Sequence, residues 1–304
     1  MIQEFYSNGK LLITGEYVVL DGAQAFALPT KYGQSLRIEA IEEPIIYWTC
    51  IDADGSVWMQ EQLTVDLLLA KEEVEGSAYL KTLVEVLRAA HRQNDSILQG
   101  DRGFKVLATL TFPRLWGLGT SSTWINNIAQ WFGINAFQLL HDSFGGSGYD
   151  IACAQHDTGI FYLKNSIATP TVKTIDFNPV FREQLFFVYL NQKQSSKVAI
   201  ANYRKKSHTI NNQIKRISEI GIAMSQCLNL KEFMHLMQEH EEIMSALLEI
   251  ETVQQRLFTD FDGTIKSLGA WGGDFILVAS ENDPTDYFKM KGYEVILSYD
   301  EMIK

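Results

Sequence analysis

The run Pro113 to Thr123 (PRLWGLGTSST) sets two glycines and a row of hydroxyls between a strand pattern and a helix pattern. Val106 to Phe112 alternates as a strand does, and Trp124 to Phe132 places apolar residues at helical spacing. The turn between them therefore opens a helix. Gly117 and Gly119 can take positive φ and admit a ligand close to the backbone, while Thr120, Ser121 and Ser122 set hydroxyls beside the free N–H groups of the first helical turn. Such a turn can receive a polyanion, for example a nucleotide phosphate. The same hydroxyls serve as ordinary helix caps, and spacing alone leaves both readings open. The run is not a Walker A loop, because no lysine follows the second glycine ahead of the hydroxyls, and it lacks the G-x-G-x-x-G dinucleotide fingerprint.

Three further runs carry polar chemistry. Phe144 to Asp150 (FGGSGYD) is a second glycine loop leading into Ile151 to Gln155; taken alone, Asp150 reads as an Asx-turn or N-cap carboxylate. Lys193-Gln194-Ser195-Ser196-Lys197 lies between a strand and a helix, which makes either a small anion site or an N-cap flanked by solvated lysines. Gly269 to Gly273 is a third glycine turn, this one feeding a strand. The histidines show no metal-ligand spacing.

The elements that position these loops divide into two halves. Strand patterns cover Lys10 to Thr14, Tyr17 to Leu20, Gln34 to Ile41, Ile45 to Asp52 and Val57 to Gln60, followed by a helix at Tyr79 to Gln93. A short helix is expected at Ala136 to Asp142 and a strand at Gly159 to Leu163. The second half opens on a buried strand, Gln184 to Asn191, continues through helices over Ser195 to Leu228 and Leu230 to Glu249, and ends on a strand at Tyr293 to Ser298. An α+β chain of two lobes follows, residues 1–170 and 171–304, with the change of character near Asn165 to Asn178.

Composition limits the function. Apolar residues at 46% and charged residues at 21% are those of a globular chain. A net charge of -11 leaves no basic surplus for a nucleic-acid backbone. Cys50, Cys153 and Cys227 are scattered and odd in number, as expected of buried thiols in a reducing compartment. The first residues lack a basic n-region, and no apolar run approaches the ~20 residues needed to cross a bilayer, so a cytoplasmic protein without membrane partners is expected.

The order of the loops carries a resemblance. Gly117-Leu118-Gly119 with Ser121 is similar to the P-x3-G-L-G-S-S-A-A signature of the GHMP kinases, and Pro113 takes its proline. Asn8 to Gly22 (NGKLLITGEYVVLDG) resembles the first motif of that superfamily in its phosphomevalonate kinase form, and Gly146 to Ala152 (GSGYDIA) its G-S-G-x-D-V-A stretch. Gly269-Ala270-Trp271-Gly272-Gly273-Asp274 resembles the third motif, G-A-G-G-G-D. The resemblance implies a two-lobed GHMP kinase fold, with an N-terminal β-α-β lobe like ribosomal protein domain 2 and a ferredoxin-like C-terminal lobe. It also implies ATP and Mg²⁺ as cofactors and a small-molecule alcohol or phosphate as substrate, for a monomer or homodimer.

On that basis the residues take roles. Pro113 and Gly117 to Ser122 would cradle ATP, with Ser121 also on Mg²⁺; Asp150 would accept the substrate proton and Lys10 would pair with it. Gly146, Ser147, Gly148, Ser195, Ser196, Gly269, Ala270, Gly272 and Gly273 would meet the substrate. The chain departs from the pattern in two places. Trp271 replaces a glycine, where an indole could narrow the cleft, stack on a ligand or pack between lobes. The interval from Ser121 to Asp150 is short and the second metal-binding Glu has no counterpart, so Asp142, at the end of its helix, stands as the substitute. The resemblance points to phosphomevalonate or mevalonate as acceptor; a catalytically silent ligand-binding protein and a diphosphomevalonate decarboxylase are the alternatives.

Overall fold

The computed structural model describes all residues except 1, 71, 100–101, 166–168, 193–199, 202, 205–209, 270 and 272–273. Its strands are β1 (Ile2–Thr14), β2 (Ala25–Ile41), β3 (Ile45–Ile51), β4 (Val57–Thr64), β5 (Gly103–Leu110), β6 (Gly159–Leu163), β7 (Thr171–Ile175), β8 (Leu185–Tyr189), β9 (Thr264–Ser267), β10 (Phe275–Ala279) and β11 (Ile296–Ser298). The described helices are α1 (Val65–Leu69), α2 (Ala78–Gln93), α3 (Thr120–Phe132), α4 (Ala136–Ser143), α5 (Tyr149–Ala154), α6 (Asn211–Gln226), α7 (Leu230–Leu248), α8 (Val253–Leu257), α9 (Thr285–Met290) and α10 (Tyr299–Met302).

Two sheets result. The first has seven strands in the order β4-β3-β5-β2-β6-β7, with β1 also paired to β2; the second is a four-stranded antiparallel sheet, β11-β8-β10-β9. Strand β7 extends the first sheet past residue 170 by pairing with β6. Only β3 and β5 run parallel in the first sheet, because the chain between them passes through β4, α1 and α2 before returning.

Alternation along the strands sorts residues into separate cores. Leu36 and Ile38 of β2, Trp48 of β3 and Val106 of β5 pack beneath Leu87 of α2, Ile125 of α3 and Leu139 of α4. Trp48 meets Trp124 edge-on, with ring centroids 5.7 Å apart. Leu11, Ile13, Phe26 and Leu28 share a second core with Phe187, Phe275 and Leu277 of the second sheet and Phe233 of α7. One apolar mass therefore spans both sheets. Among the described residues, no helix is long and apolar enough to cross a membrane.

Several expectations are corrected. The first two strands are far longer than the sequence pattern suggests, running through Gly9 and through Pro29 and Gly33. Tyr17 to Leu20 is not a strand: Val18–Asp21 is a 3-10 turn. Gly15 at φ 101° and Gly22 at φ 98° break the extended backbone on either side of it. Within the expected helix over Ser195 to Leu228, the long described segment is α6.

Candidate functional site

The site gathers at the N-terminus of α3. A polar seam holds this helix on the first sheet: Ser7 Oγ donates to Asn127 Oδ1 (2.7 Å), Asn126 Nδ2 to Ser7 Oγ (2.8 Å) and Asn127 Nδ2 to the Gln34 carbonyl (2.9 Å). The preceding loop docks on the free edge of β1, where the Lys10 N–H donates to the Leu118 carbonyl at 3.0 Å. The bulge at Gly9 permits this approach, since a Cβ there would lie 2.6 Å from Thr30 Oγ1 and 3.1 Å from the Leu118 oxygen.

The cradle expected from Gly117 to Ser122 is formed as a turn into a helix. Gly117 lies at φ 70° and Gly119, the N-cap, at φ 98°, and no side chain caps α3. The first N–H groups of the helix are thus left for another acceptor. Thr120 Oγ1 is buried without a hydrogen-bond partner. Ser121 is exposed in the first turn, and Ser122 is the hydroxyl that turns inward, donating to Asp150 Oδ2 at 3.2 Å. Pro113 caps the short turn Arg114–Trp116, held from both lobes: the Arg114 N–H donates to Asp52 (3.0 Å), and the Tyr189 hydroxyl donates to the Leu115 carbonyl (3.1 Å).

Asp150 sits in the first turn of α5, behind Gly148, whose φ is 93°. Two contacts set its position. Gln155 Nε2 ties α5 to Asn126 of α3 at 2.9 Å, and the Tyr162 hydroxyl donates to the Ser147 carbonyl at 2.5 Å. Asp150 Oδ1 is buried with no hydrogen-bond partner. A carboxylate oxygen left bare in this way costs stability, and such atoms mark sites that await a ligand.

Lys10 converges on the same place but does not form the expected pair with Asp150. Its ammonium lies 3.4 Å from the Gly117 carbonyl and 5.5 Å from the centre of the Tyr149 ring, so the carbonyl and the ring face hold it instead. Both charges are felt by the buried Cys153 thiol, which burial pushes up, Lys10 pulls down and Asp150 raises further. Burial, aided by the Asp150 charge, also lifts the Tyr149 phenol well above its ordinary range.

Asp142 is not brought to the cradle. Gln138 Nε2 (2.8 Å), His141 Nδ1 (3.1 Å) and Gln93 Nε2 of α2 (3.5 Å) hold its carboxyl on the far end of α4, so it is no substitute metal ligand. Among the described residues, no group of three His, Cys, Asp or Glu side chains could hold a metal ion. The Gly146 carbonyl accepts from Lys164 at 3.4 Å. Ser195, Ser196, Ala270, Gly272 and Gly273 lie outside the described residues.

Sequence reasoning left two features out. The first is the seat of Asp274, which opens β10: its carboxyl lies against Gly117, and a Cβ on that glycine would overlap it. The second is a buried charge cluster between the lobes. Lys266 Nζ donates to Glu16 Oε1 at 2.7 Å and to the Ser267 carbonyl at 2.9 Å, and Glu241 lies 3.8 Å from the same ammonium. Ser267 Oγ and Trp271 Nε1 donate to the two oxygens of Glu241 at 2.9 and 3.2 Å. His240 Nε2 lies 3.1 Å from Glu16 Oε2, though without hydrogen-bond alignment. The only sequence signal was Glu16 and Lys266 standing inside apolar runs.

Burial acts on every member of the cluster. It pushes Glu16 up, but Lys266 and His240 outweigh it and hold the carboxyl below its usual value. It pushes His240 down, and Lys266 adds to that. Burial raises Glu241 to about 7, only partly offset by Lys266 and Ser267. Trp271 packs with Tyr17, Tyr203 and Met244 between the lobes, and none of these is a cradle residue. Its φ of 57° is a strain of about 1 kcal/mol for a bulky residue, held by this burial.

Comparison with known proteins bears on the whole arrangement. No family model and no curated sequence matches the chain. Solved structures do. Methanococcus jannaschii mevalonate kinase aligns with a TM-score of 0.69 at 16% identity, covering 98% of this chain and 97% of that one. Streptococcus pneumoniae phosphomevalonate kinase in complex with phosphomevalonate and AMPPNP aligns at 0.67 and 14% identity, covering 95% of each. Lactococcus lactis galactokinase complexed with galactose aligns at 0.69 and 12%, covering 95% of this chain and 88% of that one. The chain has the mixed α+β fold of the GHMP kinases over nearly its full length, and what it shares at this identity is the fold.

Proposed function

We propose that this protein is a cytoplasmic ATP-dependent small-molecule kinase that transfers a phosphoryl group to a mevalonate-like alcohol or phosphate, as a monomer or homodimer. The observation that carries the reading is the convergence on one uncapped helix N-terminus of a lysine, a hydroxyl and a carboxylate with a bare buried oxygen. Phosphoryl transfer asks for little more than positioning and charge stabilisation, and these groups supply both.

The residues fit ATP and Mg²⁺. The free N–H groups from Gly119 to Ser122 would hold phosphate oxygens, with Pro113, Gly117 and Leu118 shaping the loop. Ser121, Ser122 and Asp150 offer oxygen donors to Mg²⁺, which is usually held by one or two protein ligands together with phosphate and water. When bound, ATP supplies the phosphoryl group and Mg²⁺ offsets its charge. Asp150 Oδ1 accepts the proton of the attacking hydroxyl, and Ser122 orients the carboxylate through Oδ2. Lys10, beside the Gly117 carbonyl, offsets negative charge gathering in the cradle.

A phosphomevalonate-like acceptor is favoured over mevalonate, on the motif resemblance of Gly146 to Ala152 and of Ser195-Ser196. The test is an ADP-release screen with phosphomevalonate, mevalonate, sugars and amino alcohols, with carbon dioxide followed in parallel. ADP formation with one acceptor and no carbon dioxide is expected. ADP formed together with carbon dioxide would assign a decarboxylase. Absence of ADP with every acceptor, together with no heat on titration with Mg-ATP, would overturn the kinase reading.

A further inference from the structure

The third glycine turn joins the two features that the sequence did not reveal. It leaves β9 after Lys266 and Ser267, passes Gly269 and Trp271, and enters β10 at Asp274. At its far end Asp274 rests on Gly117 of the cradle, and its carbonyl accepts from the Leu190 N–H at 2.8 Å. At its near end the Trp271 N–H reaches the Leu268 carbonyl at 3.3 Å and the indole N–H reaches Glu241. A single buried carboxyl thus takes one hydrogen bond from the strand before the turn, through Ser267, and one from within it, through Trp271.

Trp271 stands where the turn would otherwise have a bare backbone, in a left-handed conformation that a large side chain adopts only when its surroundings compel it. Two things compel it here: burial beside Tyr17, Tyr203 and Met244, and the bond to Glu241. Glu241 is itself fixed from three elements, by Lys266 and Ser267 of β9, by its own helix α7 beside His240, and by Glu16 at the end of β1 acting through Lys266. Glu16 follows Lys10 on the same stretch of backbone. The charge cluster therefore ties the turn carrying Asp274 to the strand carrying Lys10.

We infer that Glu241 is a positioning residue of this site: acting through the Trp271 indole and the Ser267 hydroxyl, it fixes how the 269–274 turn and its Asp274 approach the phosphate cradle. It touches neither nucleotide nor acceptor. The inference deepens the kinase reading and rests on it for its catalytic consequence. It assigns the departure from glycine at Trp271 a purpose, because a tryptophan brings a hydrogen-bond donor that glycine lacks.

Two variants of the full chain test it. Trp271→Phe keeps the ring and removes the N–H, and Glu241→Gln keeps the shape and removes the charge. Each is expected to lower kcat with Mg-ATP about 10-fold, in the range that misplacement of a remote positioning group produces. The acceptor KM should move little, and the double variant should lose no more than the worse single one, since both break the same link. Amides of the 265–275 segment should exchange with solvent about 10-fold faster in both variants. Unchanged kcat in both, or a loss of thermal midpoint with normal exchange and kinetics, would reduce the cluster to packing and overturn the inference. If the wild-type protein transfers no phosphate at all, the kinase reading falls. Faster exchange of the segment in the variants then still supports the link, and unchanged exchange overturns it.

Discussion

The cradle at α3 and the charge cluster between the lobes are both built from polar groups removed from solvent, yet they are finished differently. In the cluster Lys266 meets a carboxylate and a carbonyl, and Glu241 receives a donor on each oxygen. In the cradle Asp150 Oδ1 and Thr120 Oγ1 are left bare and α3 has no cap. Buried polar atoms stabilise a fold only when partnered, so the first region serves architecture and the second is held ready for a ligand. The contrast is uneven in one respect: His240 keeps both ring nitrogens without hydrogen bonds inside the cluster.

The comparison breaks most readily at Asp150. Asp150→Asn should reduce phosphoryl transfer by about 10²- to 10⁴-fold, the range for a lost general base, with the thermal midpoint unchanged or raised. ADP-release kinetics and a melting curve would check it; a large loss of stability would mean that the carboxylate is structural. Lys266→Met should do the reverse. It leaves Glu16 buried without its cation and is expected to cost about 3–5 kcal/mol, measured by denaturant unfolding.

A smaller effect comes from pH. Glu241 titrates near 7 in the folded protein against 4.5 for a free carboxyl, so across that window the folded state keeps a proton that the unfolded chain has released. Its contribution is therefore present at low pH and falls, by about 3 kcal/mol in all, as pH rises from one value to the other. Glu16, held low, acts in the opposite sense and loses its contribution as pH falls through its folded value. Stability measured across this range should flatten on the alkaline side in Glu241→Gln; an unchanged slope would assign the titration elsewhere. The smallest effect sharpens the cradle: Gly117→Ala, at φ 70° and against the Asp274 carboxyl, should cost about 1–2 kcal/mol and weaken Mg-ATP binding in calorimetry.

The sequence showed the cradle more clearly than the cluster, for a physical reason. A glycine turn between a strand and a helix is local, and Gly117, Gly119 and the start of α3 lie where the pattern puts them. So does Asp150 at the opening of a helix. The cluster joins Glu16, His240, Glu241 and Lys266 across most of the chain, and no local period records such a meeting. Tyr17 to Leu20 misled because its apolar residues look like a strand, whereas the flanking glycines at positive φ decide the backbone. Asp142 misled because the partners that capture it, Gln138 and Gln93, are as unremarkable in sequence as any surface glutamine.

The apolar mass shared by the two sheets has a consequence for how the molecule comes apart. Leu11, Ile13, Phe26 and Leu28 of one sheet and Phe187, Phe275 and Leu277 of the other exclude water together, so neither half can shed its partner without exposing the same side chains that folding concealed. Unfolding is then one cooperative event rather than two, and rearrangements during a catalytic cycle are confined to loops over a body that does not hinge.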